Sequence, residues 1–457
     1  MVKYQSTRGS TKNLSFQDTV ISGLAPDKGL YLPDSTTLNN LSLLTQDDLS
    51  YEDFVKTVFI ALDKNSASLI DDISLYPGFE VDPTPVLREL SNSVVVIELF
   101  NGPTKSFKDY ALQPLGAIAN KRLSEIGERG LVIVATSGDT GSAAIEAFKG
   151  LDSVNIFILF PDGRVSDVQR RQMTTAKEGN VHAIAVNGTF DDCQARVKDM
   201  FNDHEFRSEV QLAGINSINW ARVLAQVVYY FSSAVSLGAP SRKVSFTVPT
   251  GNFGDVFAGY IAKEMGLSID RLVVATNQND ILHRCLSGNG YHTTEVASSI
   301  SPSMDIQISS NFERALFFAY RQDTSKISKL MEQLKQNNGF DISDDALDAL
   351  SKHYSSGMAT EVETSDTIKC MLTSSGQLLC PHTAIGVKVA KELRDNEVPM
   401  VTLATAHPAK FPDAVKKASK VTPELPGRMS DLFERSEQTL KVDNNLVQLK
   451  NLIIDRI

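Results

Sequence analysis

The sequence predicts an α/β protein in which parallel βα units follow an α-rich N-terminal segment. From residue 94 onward, short β-branched runs are each followed by a polar loop and then by a helix-like period. The chain has 457 residues, which is too long for one ordinary core, so two or three packed units are expected.

The N-terminal segment, residues 1 to about 80, mixes polar turns with short amphipathic stretches at residues 49–62 and 67–75. This pattern predicts an α-rich unit, and the stretch GLAPDKGLYLP at residues 23–33 predicts a surface loop within it.

The region beyond it alternates between apolar runs and helical periods. Strands are predicted at residues 94–100, 131–135, 154–160, 181–186, 244–248, 272–275 and 400–404, the last candidate strand. Helices are predicted at residues 107–126, 142–149, 165–176, 191–201 and 256–265. Residues 305–400 predict a helical insertion with a polar surface.

Composition excludes several classes of protein. The net charge of -10 argues against a nucleic-acid surface, and no apolar run is long enough to cross a bilayer. The four cysteines include no C-x-x-C pair, which indicates reduced thiols rather than a disulfide frame, and no metal site is expected. No secretory signal is visible, so a cytoplasmic location is expected.

Lys105 and Lys108 lie where the strand at 94–100 gives way to a helix, in GPTKSFKDYAL. A cation at a helix N-terminus faces the positive end of the helix dipole, so these positions are unfavourable for charged lysines. Either both lysines are solvated at little cost, or one of them is uncharged in the working protein.

The loop PTGNFGD at residues 249–255 follows a predicted strand and opens a helix. Its glycines, Gly251 and Gly254, allow close backbone approach to an anion, and the helix N-terminus supplies free N–H donors. It is neither a Walker loop nor a GxGxxG fingerprint. A tight βα turn that needs glycines is an equally good interpretation.

The loop TSGDTGSA at residues 136–143 repeats this pattern, with hydroxyl groups and the carboxylate of Asp139 beside backbone donors. It could hold a substrate carboxylate, or it could be an ordinary capped helix start. If one loop binds a phosphate and the other a carboxylate, a lysine between them at a strand end is a Schiff-base candidate with pyridoxal phosphate.

Seven motifs in order resemble the threonine synthase family, in the longer branch found in fungi and many bacteria. They are ELFNGPTKSFKDYALQ, ATSGDTGSAA, MTT, GINSINWARVLAQ, PTGNFGD, PHTA and TAHPAKF, and STRG and APDKGLYLP resemble the family's N-terminal domain. The resemblance implies a fold type II pyridoxal-phosphate enzyme, with an N-terminal domain over residues 1–85. Residues 86–457 would then form the catalytic region, with two α/β lobes and mostly parallel sheets.

The resemblance also implies roles for single residues. Lys108 would bind the cofactor, and Thr405 would face the pyridine nitrogen. The cofactor phosphate would be bound by Gly251, Asn252, Phe253, Gly254 and Asp255, although a carboxylate repels phosphate and Asp255 could instead stabilise the helix start. The substrate would be bound by Thr136, Ser137, Gly138, Asp139 and Thr140.

The resemblance also implies a substrate that carries a phosphate group, and the sequence determines less well which residue pairs with that phosphate. Arg222 in NWAR is a candidate because a guanidinium fork suits phosphate oxygens, and a helix-surface salt bridge is nearly as good an interpretation. Arg8 and Lys105 are competing candidates. His382 and His407 flank the expected site, and a satisfied buried histidine is the favoured interpretation of His382.

Three departures from the family pattern bear on the substrate pocket. Asn101 replaces a common histidine, Lys105 and Ser106 replace an apolar or aromatic residue and alanine, and Cys380 replaces aspartate before PHTA. The cofactor motifs are intact.

The resemblance implies conversion of O-phospho-L-homoserine and water into L-threonine and phosphate. Charge and hydropathy predict neither a nucleic-acid nor a membrane partner, and the protein is expected to be a monomer or a small homo-oligomer. One alternative is a threonine-synthase-like phospho-lyase that omits the final addition of water. Another is a catalytically silent relative that keeps the fold as a binding module.

Overall fold

The computed structural model describes residues 2–34, 49–91, 94–213 and 217–457. Residues 214–216, the first part of the motif GINSINW, lie outside the described residues.

The strands of the described residues are β1 Tyr4–Ser6, β2 Tyr31–Pro33, β3 Val86–Ser91, β4 Val94–Glu98, β5 Gly130–Ala135, β6 Val154–Pro161, β7 Val181–Asn187, β8 Leu212–Ala213, β9 Val244–Pro249, β10 Ile269–Thr276, β11 Gly290–His292, β12 Gly339–Asp341, β13 Tyr354–Met358, β14 Met400–Ala404 and β15 Leu440–Asp443.

The α-helices are α1 Phe16–Ser22, α2 Tyr51–Leu62, α3 Ala67–Ile70, α4 Lys108–Ile126, α5 Asp139–Phe148, α6 Asp167–Thr174, α7 Phe190–Asn202, α8 His204–Val210, α9 Trp220–Ser236, α10 Gly254–Glu264, α11 Ile281–Gly288, α12 Phe312–Ala319, α13 Thr324–Asn337, α14 Asp344–Ser351, α15 Glu361–Ser375, α16 Pro381–Leu393, α17 Pro412–Ser419 and α18 Leu446–Ile454.

Two larger sheets organise the molecule. The six-stranded sheet has the order β13-β10-β9-β14-β4-β3 and is parallel except for the antiparallel edge strand β3. The five-stranded sheet has the order β15-β7-β6-β5-β8 and is parallel throughout. Because ligands bind at the carboxyl ends of parallel strands, a ligand site is expected at the loops after β4, β5, β9 and β14.

Helix α9 lies in the core that both larger sheets share. It is apolar nearly all round and packs against α2, α4 and α10, as expected of a helix buried on every side. One continuous core cluster runs from the N-terminal helices through α4 and α9 to strands β6 and β9. The loops described below are therefore anchored to well-packed strands and helices.

The predicted strands and helices are confirmed, with bounds shifted by up to about three residues. The statement that residues 400–404 form the last strand is wrong, because β15 follows and pairs with β7. The stretch 23–33 is not simply a surface loop, since its last three residues form the buried strand β2 against β1.

The segment 305–400 is helical only in part. It contains α12–α16, but also β13, which forms the edge of the six-stranded sheet beside β10. Helix α16 is mostly buried and packs on β9, β10 and β14, so it is part of the layer that covers the six-stranded sheet. Within the described residues, no helix is both long and apolar enough to cross a membrane.

Candidate functional site

Two loops that are far apart in sequence are joined beside Lys108. The backbone N–H of Phe107 donates to the carbonyl oxygen of Thr405 at 2.8 Å, and that of His407 donates to the carbonyl oxygen of Lys105 at 3.0 Å. These bonds align the loop before α4 with the loop after β14. Lys108, the first residue of α4, and Thr405 are therefore placed at the same edge of the sheet.

The ammonium of Lys108 lies in a buried and charged environment. Its Nζ is 3.7 Å from Oδ2 of Asp139, which begins α5 on the other sheet. Burial lowers the pKa of Lys108 to about 8, while Asp139 opposes the shift and Arg222 adds to it. A lysine with this pKa provides a sizeable fraction of free amine near neutral pH, as a nucleophile or proton carrier needs.

The loop after β5 is built to leave its helix start open. The Thr136 hydroxyl oxygen accepts the backbone N–H groups of Gly138 and Gly141, both at 2.9 Å. Gly138 has a φ of 130°, and a Cβ there would lie 2.4 Å from Cδ of Gln169, so only glycine fits. The N-cap residue Gly138 makes no side-chain cap, so within the described residues the N–H groups of Asp139 and Thr140 at the start of α5 remain for an anion.

The other predicted members of this loop differ in their burial. Ser137 and Thr140 are half-buried, whereas Asp139 is buried and accepts a hydrogen bond from Nε2 of Gln169 at 2.8 Å. The loop thus presents two hydroxyl groups and helix N–H groups, while its carboxylate faces lysines.

The loop after β9 has the form expected of a phosphate site. Phe253 is left-handed with a φ of 62°, and α10 begins at Gly254 without a side-chain cap in the described structure. A Cβ on Gly251 would lie 2.9 Å from the carbonyl oxygen of Ser303, so the backbone has no room for a side chain. The loop is fixed from outside, because the Ser309 hydroxyl donates to the carbonyl oxygen of Gly251 at 2.6 Å.

The remaining residues of this loop have different surroundings. Asn252 is exposed, and its carbonyl oxygen accepts the backbone N–H of Asn311 at 3.0 Å. Asp255 is buried, and its Oδ1 accepts the hydroxyl groups of Tyr229 at 2.6 Å and Tyr230 at 3.0 Å. Burial raises the pKa of Asp255 to about 6. Its carboxyl group therefore ties α10 to α9.

Arg222 is a buried cation with unused hydrogen-bond capacity. Its side chain is on the first turn of α9, the residue is 4% exposed, and its Nη1 has no hydrogen-bond partner among the described residues. Burial lowers its pKa to about 10, so it stays charged at neutral pH. A buried, incompletely paired guanidinium is costly, and an anion bound there would remove that cost.

The two competing candidates for the substrate phosphate have other partners. Arg8 makes two bonds to Glu313, at 3.0 Å from Nε and 2.7 Å from Nη2. Lys105 has a left-handed φ of 62° and donates from Nζ to the carbonyl oxygen of Asn101 at 3.5 Å. Of the three, Arg222 retains the most unused donor capacity.

His382 is only half satisfied, which differs from the favoured interpretation. Its Nε2 accepts the backbone N–H of Ser303 at 3.3 Å, so a neutral ring carries its proton on Nδ1. That Nδ1 is buried and without a partner in the described part of the chain. Burial lowers the pKa of His382 to about 4, which keeps the ring neutral. His407, by contrast, uses Nδ1 to accept the backbone N–H of Ala409.

Cys380 shows what one departure from the family pattern does. Its Sγ accepts the backbone N–H of Thr383 at 3.4 Å and so caps α16, the role that an aspartate commonly fills. The substitution therefore leaves the helix start intact, and its buried thiol has a raised pKa because of burial.

Sequence reasoning missed Lys410, the lysine of TAHPAKF. It is 0% exposed, and its Nζ lies 3.1 Å from Oδ1 of Asp139 and 2.8 Å from the carbonyl oxygen of Thr104. A lysine in the loop after the buried strand β14 was the available signal, but its partner Asp139 lies about 270 residues earlier in the chain.

Pyridoxal phosphate fits this set of residues. The residues described above include one buried lysine with a lowered pKa, two helix starts whose N-cap residues make no side-chain bond, and one buried guanidinium whose Nη1 has no partner among the described residues. These are the groups required for an imine bond, a phosphate, and a second anion.

Comparisons with known proteins agree with this geometry. Three families match: "Threonine synthase N terminus" at residues 3–66, "Pyridoxal-phosphate dependent enzyme" at 79–326 and "Threonine synthase, C-terminal" at 383–453. A threonine synthase from Pseudomonas aeruginosa is 46% identical over 99% of this chain and 98% of its own.

A crystal structure of PLP-bound threonine synthase from Brucella melitensis has a TM-score of 0.95 to this chain and 49% sequence identity. The match covers 100% of this chain and 99% of that chain. A human protein named threonine synthase-like 2 is 34% identical over 99% of this chain and 97% of its own.

Proposed function

This chain belongs to the threonine synthase family, and we propose that it converts O-phospho-L-homoserine and water into L-threonine and phosphate. It is a pyridoxal-phosphate-dependent lyase with the fold type II architecture. The observation that carries the proposal is the buried Lys108, whose Nζ lies 3.7 Å from Asp139 at the start of α5. The charge of Arg222, whose Nη1 has no partner among the described residues, acts on Lys108, and both cations act on Asp255 at the start of α10.

The residues that would hold the cofactor come from three loops. Lys108 would bind it through Nζ, and the helix start at Gly254 would receive its phosphate together with Gly251, Asn252 and Phe253. Thr405 would place its hydroxyl group at the pyridine nitrogen. When bound, pyridoxal phosphate supplies an electron sink that stabilises negative charge next to the amino group of an amino acid.

Asp255 has a supporting role in this proposal. Its Oδ1 is engaged by two tyrosine hydroxyl groups, which favours a carboxyl group that fixes the start of α10 over one that contacts a phosphate. The N–H groups of α10 remain available for the anion, as its geometry requires.

Lys108 would also move protons, because its amine is free for that purpose once the substrate's own amine takes its place. A pKa of about 8 lets Nζ accept a proton near neutral pH and return it afterwards. The hydrogen bond between Phe107 and Thr405 fixes the start of α4. This would hold Lys108 in place while Nζ accepts the proton and returns it.

The substrate would be held at its two ends. The hydroxyl groups of Thr136, Ser137 and Thr140, with the N–H groups of Asp139 and Thr140 at the start of α5, would receive its carboxylate. Arg222 would pair with its phosphate and would stay cationic while charge develops on the leaving group. Neither end requires Arg8, which is bound to Glu313.

A phospho-lyase that omits the addition of water is the second function considered. The threonine synthase-like 2 protein is less similar, at 34% identity, than the Pseudomonas aeruginosa threonine synthase, at 46%. The motifs PTGNFGD and TAHPAKF are also complete in this chain. Both observations favour the synthase.

The same proposal includes a cytoplasmic location and a small-molecule substrate as the partner. Four free cysteines suit a reducing compartment, and the net charge of -10 does not favour nucleic acid. A monomer or a small homo-oligomer is equally compatible with this proposal.

The test is to incubate the purified protein and pyridoxal phosphate with O-phospho-L-homoserine and to identify the product by mass spectrometry. The proposal expects L-threonine and one equivalent of phosphate. Formation of 2-oxobutyrate would indicate the lyase instead, and absence of turnover would indicate the silent relative.

A further inference from the structure

Lys410 is a buried cation with no donor left for a ligand. Its Nζ donates to the carbonyl oxygen of Thr104 and to Oε1 of Gln172, each at 2.8 Å, and lies 3.1 Å from Oδ1 of Asp139. An ammonium has three hydrogens, and here each has an acceptor. Lys410 can therefore act on the site only through the residues that it touches.

The carboxylate of Asp139 is shared between two lysines. Oδ1 faces Lys410 and also accepts from Gln169, while Oδ2 faces Lys108 at 3.7 Å. Burial alone would raise the pKa of Asp139, but Lys410 and then Lys108 hold it well below its usual range. The three side chains thus form a row of charges in the order cation, anion, cation.

From this row we propose that Lys410 is a positioning residue. Its ammonium holds the carboxylate of Asp139 in place and partly neutralises it, so that Lys108 can release its proton. The inference rests on the proposed function, since it concerns the lysine that would bind the cofactor. With Lys410 in place, Asp139 orients the amine of Lys108 without locking it as an ammonium. Without Lys410, the undivided charge of Asp139 would hold the proton on Lys108.

The other charged groups around Lys108 do not replace this effect. Arg222 has the same sign as Lys410 but contacts no carboxylate at salt-bridge distance among the described residues. Asp109 is occupied by the N–H and hydroxyl groups of Thr104, both at 2.8 Å, and burial raises its pKa to about 7. Asp255 is engaged by tyrosines of α9, as described above, and His382 is neutral.

The direct test measures the protonation of Lys108 in cofactor-free protein. The rate at which acetic anhydride labels Lys108 is followed from pH 6 to 10 by peptide mass spectrometry, with an exposed lysine in the same sample as reference. In Lys410→Met the midpoint for Lys108 should rise by one unit or more, which is about tenfold less free amine at pH 7. An unchanged or lowered midpoint would overturn the proposal.

Two further variants separate this effect from simple loss of packing. Asp139→Asn removes the shared charge and should move the Lys108 midpoint downward, opposite to Lys410→Met; no movement there would also overturn the proposal. Lys388→Met removes a lysine paired with Glu363 and Glu392 elsewhere and should leave the midpoint unchanged. A shift of equal size in this control would show a general structural effect instead.

The result of the labelling experiment does not depend on whether the proposed function is correct. The labelling needs neither cofactor nor substrate, so the midpoints can follow the expected order even in a protein that makes no threonine. In active enzyme, Lys410→Met should lower kcat with little change in KM and shift the acidic limb of the pH profile upward, since the Nζ hydrogens of Lys410 are all used within the protein. An equal loss through KM alone would contradict a positioning role.

Discussion

The backbone N–H of Phe107 donates to the carbonyl oxygen of Thr405 at 2.8 Å, which fixes the residue before Lys108 to the loop after β14. The bond uses only main-chain atoms of Thr405. Its side-chain hydroxyl can therefore be changed without losing the connection between the two loops, and this makes the proposed role of the hydroxyl group testable.

Thr405→Val should leave the cofactor bound but impair turnover and alter the visible spectrum. The substitution preserves shape and the main-chain bond, while a buried ring nitrogen would lose its hydrogen-bond donor, at a cost of roughly 1–3 kcal/mol. Absorbance spectra and steady-state kinetics on the two proteins measure this. If spectrum and kcat both match the parent, Thr405 does not contact the cofactor.

Arg222→Ala should weaken use of O-phospho-L-homoserine by about 10–100-fold in kcat/KM, because a hydrogen bond to a charged group contributes about 1.5–3 kcal/mol. Bound pyridoxal phosphate should be retained. Arg222→Lys should recover part of the loss, since it restores the charge but not the two-pronged geometry.

Arg8→Ala and Lys105→Ala are the matched comparisons for Arg222. Each variant removes one of the two competing cations. We expect smaller effects on KM than in Arg222→Ala, because Arg8 and Lys105 each already have a protein partner. Normal turnover by Arg222→Ala, with a large effect in either of the others, would transfer the phosphate site to that residue.

Asp255→Asn should stabilise the cofactor-free protein at pH 7.5. The folded protein raises the pKa of Asp255 from 3.8 to about 6, so the folded state binds the proton more tightly than the unfolded state. Stability from this group is present below about pH 4 and is lost as the pH rises to 6, by roughly 3 kcal/mol at most. Asparagine is uncharged at every pH, so the variant avoids this loss of stability.

Urea unfolding at pH 4 and pH 7.5 checks this sign. The variant should be more stable than the parent at pH 7.5, and this advantage should shrink at pH 4, where both side chains are neutral. The amide oxygen can still accept from Tyr229, which limits structural loss. A variant that is less stable by the same amount at both pH values would contradict a buried, proton-binding Asp255.

His382 should stay neutral from pH 5 to 9 with its proton on Nδ1. Burial lowers its pKa to about 4, and Nε2 is occupied as an acceptor from Ser303. Nitrogen-15 NMR of histidine-labelled protein detects the tautomer, and His382→Gln assigns its signal among the seven histidines. Titration near pH 6.5, or a proton on Nε2, would be inconsistent with this geometry.

Much of the fold was predictable because its central strands carry their own signal. Buried parallel strands such as β5 and β9 are continuous β-branched runs followed by glycine-rich loops. Strands β13 and β15 lie at sheet edges and have few apolar residues, YSSGM and LKVD, so their pairing depends on a neighbour supplied by the fold.

The site divides in a similar way. Spacing alone could not choose between Lys105 and Lys108, and family resemblance was needed for that choice. The contacts of Lys410 with Asp139, and of His382 with Ser303, join residues about 270 and 79 positions apart. Such contacts arise from the tertiary packing of distant segments and have no periodicity that a sequence pattern could reveal.

The most direct test of the central claim is to locate the bound cofactor. Borohydride reduction of the purified protein with pyridoxal phosphate, followed by peptide mapping, should place the pyridoxyl group on Lys108, the buried lysine with the lowered pKa. The Lys108→Ala variant should then yield no labelled peptide from this region. A pyridoxyl group on Lys105, or label that persists in Lys108→Ala, would contradict the account.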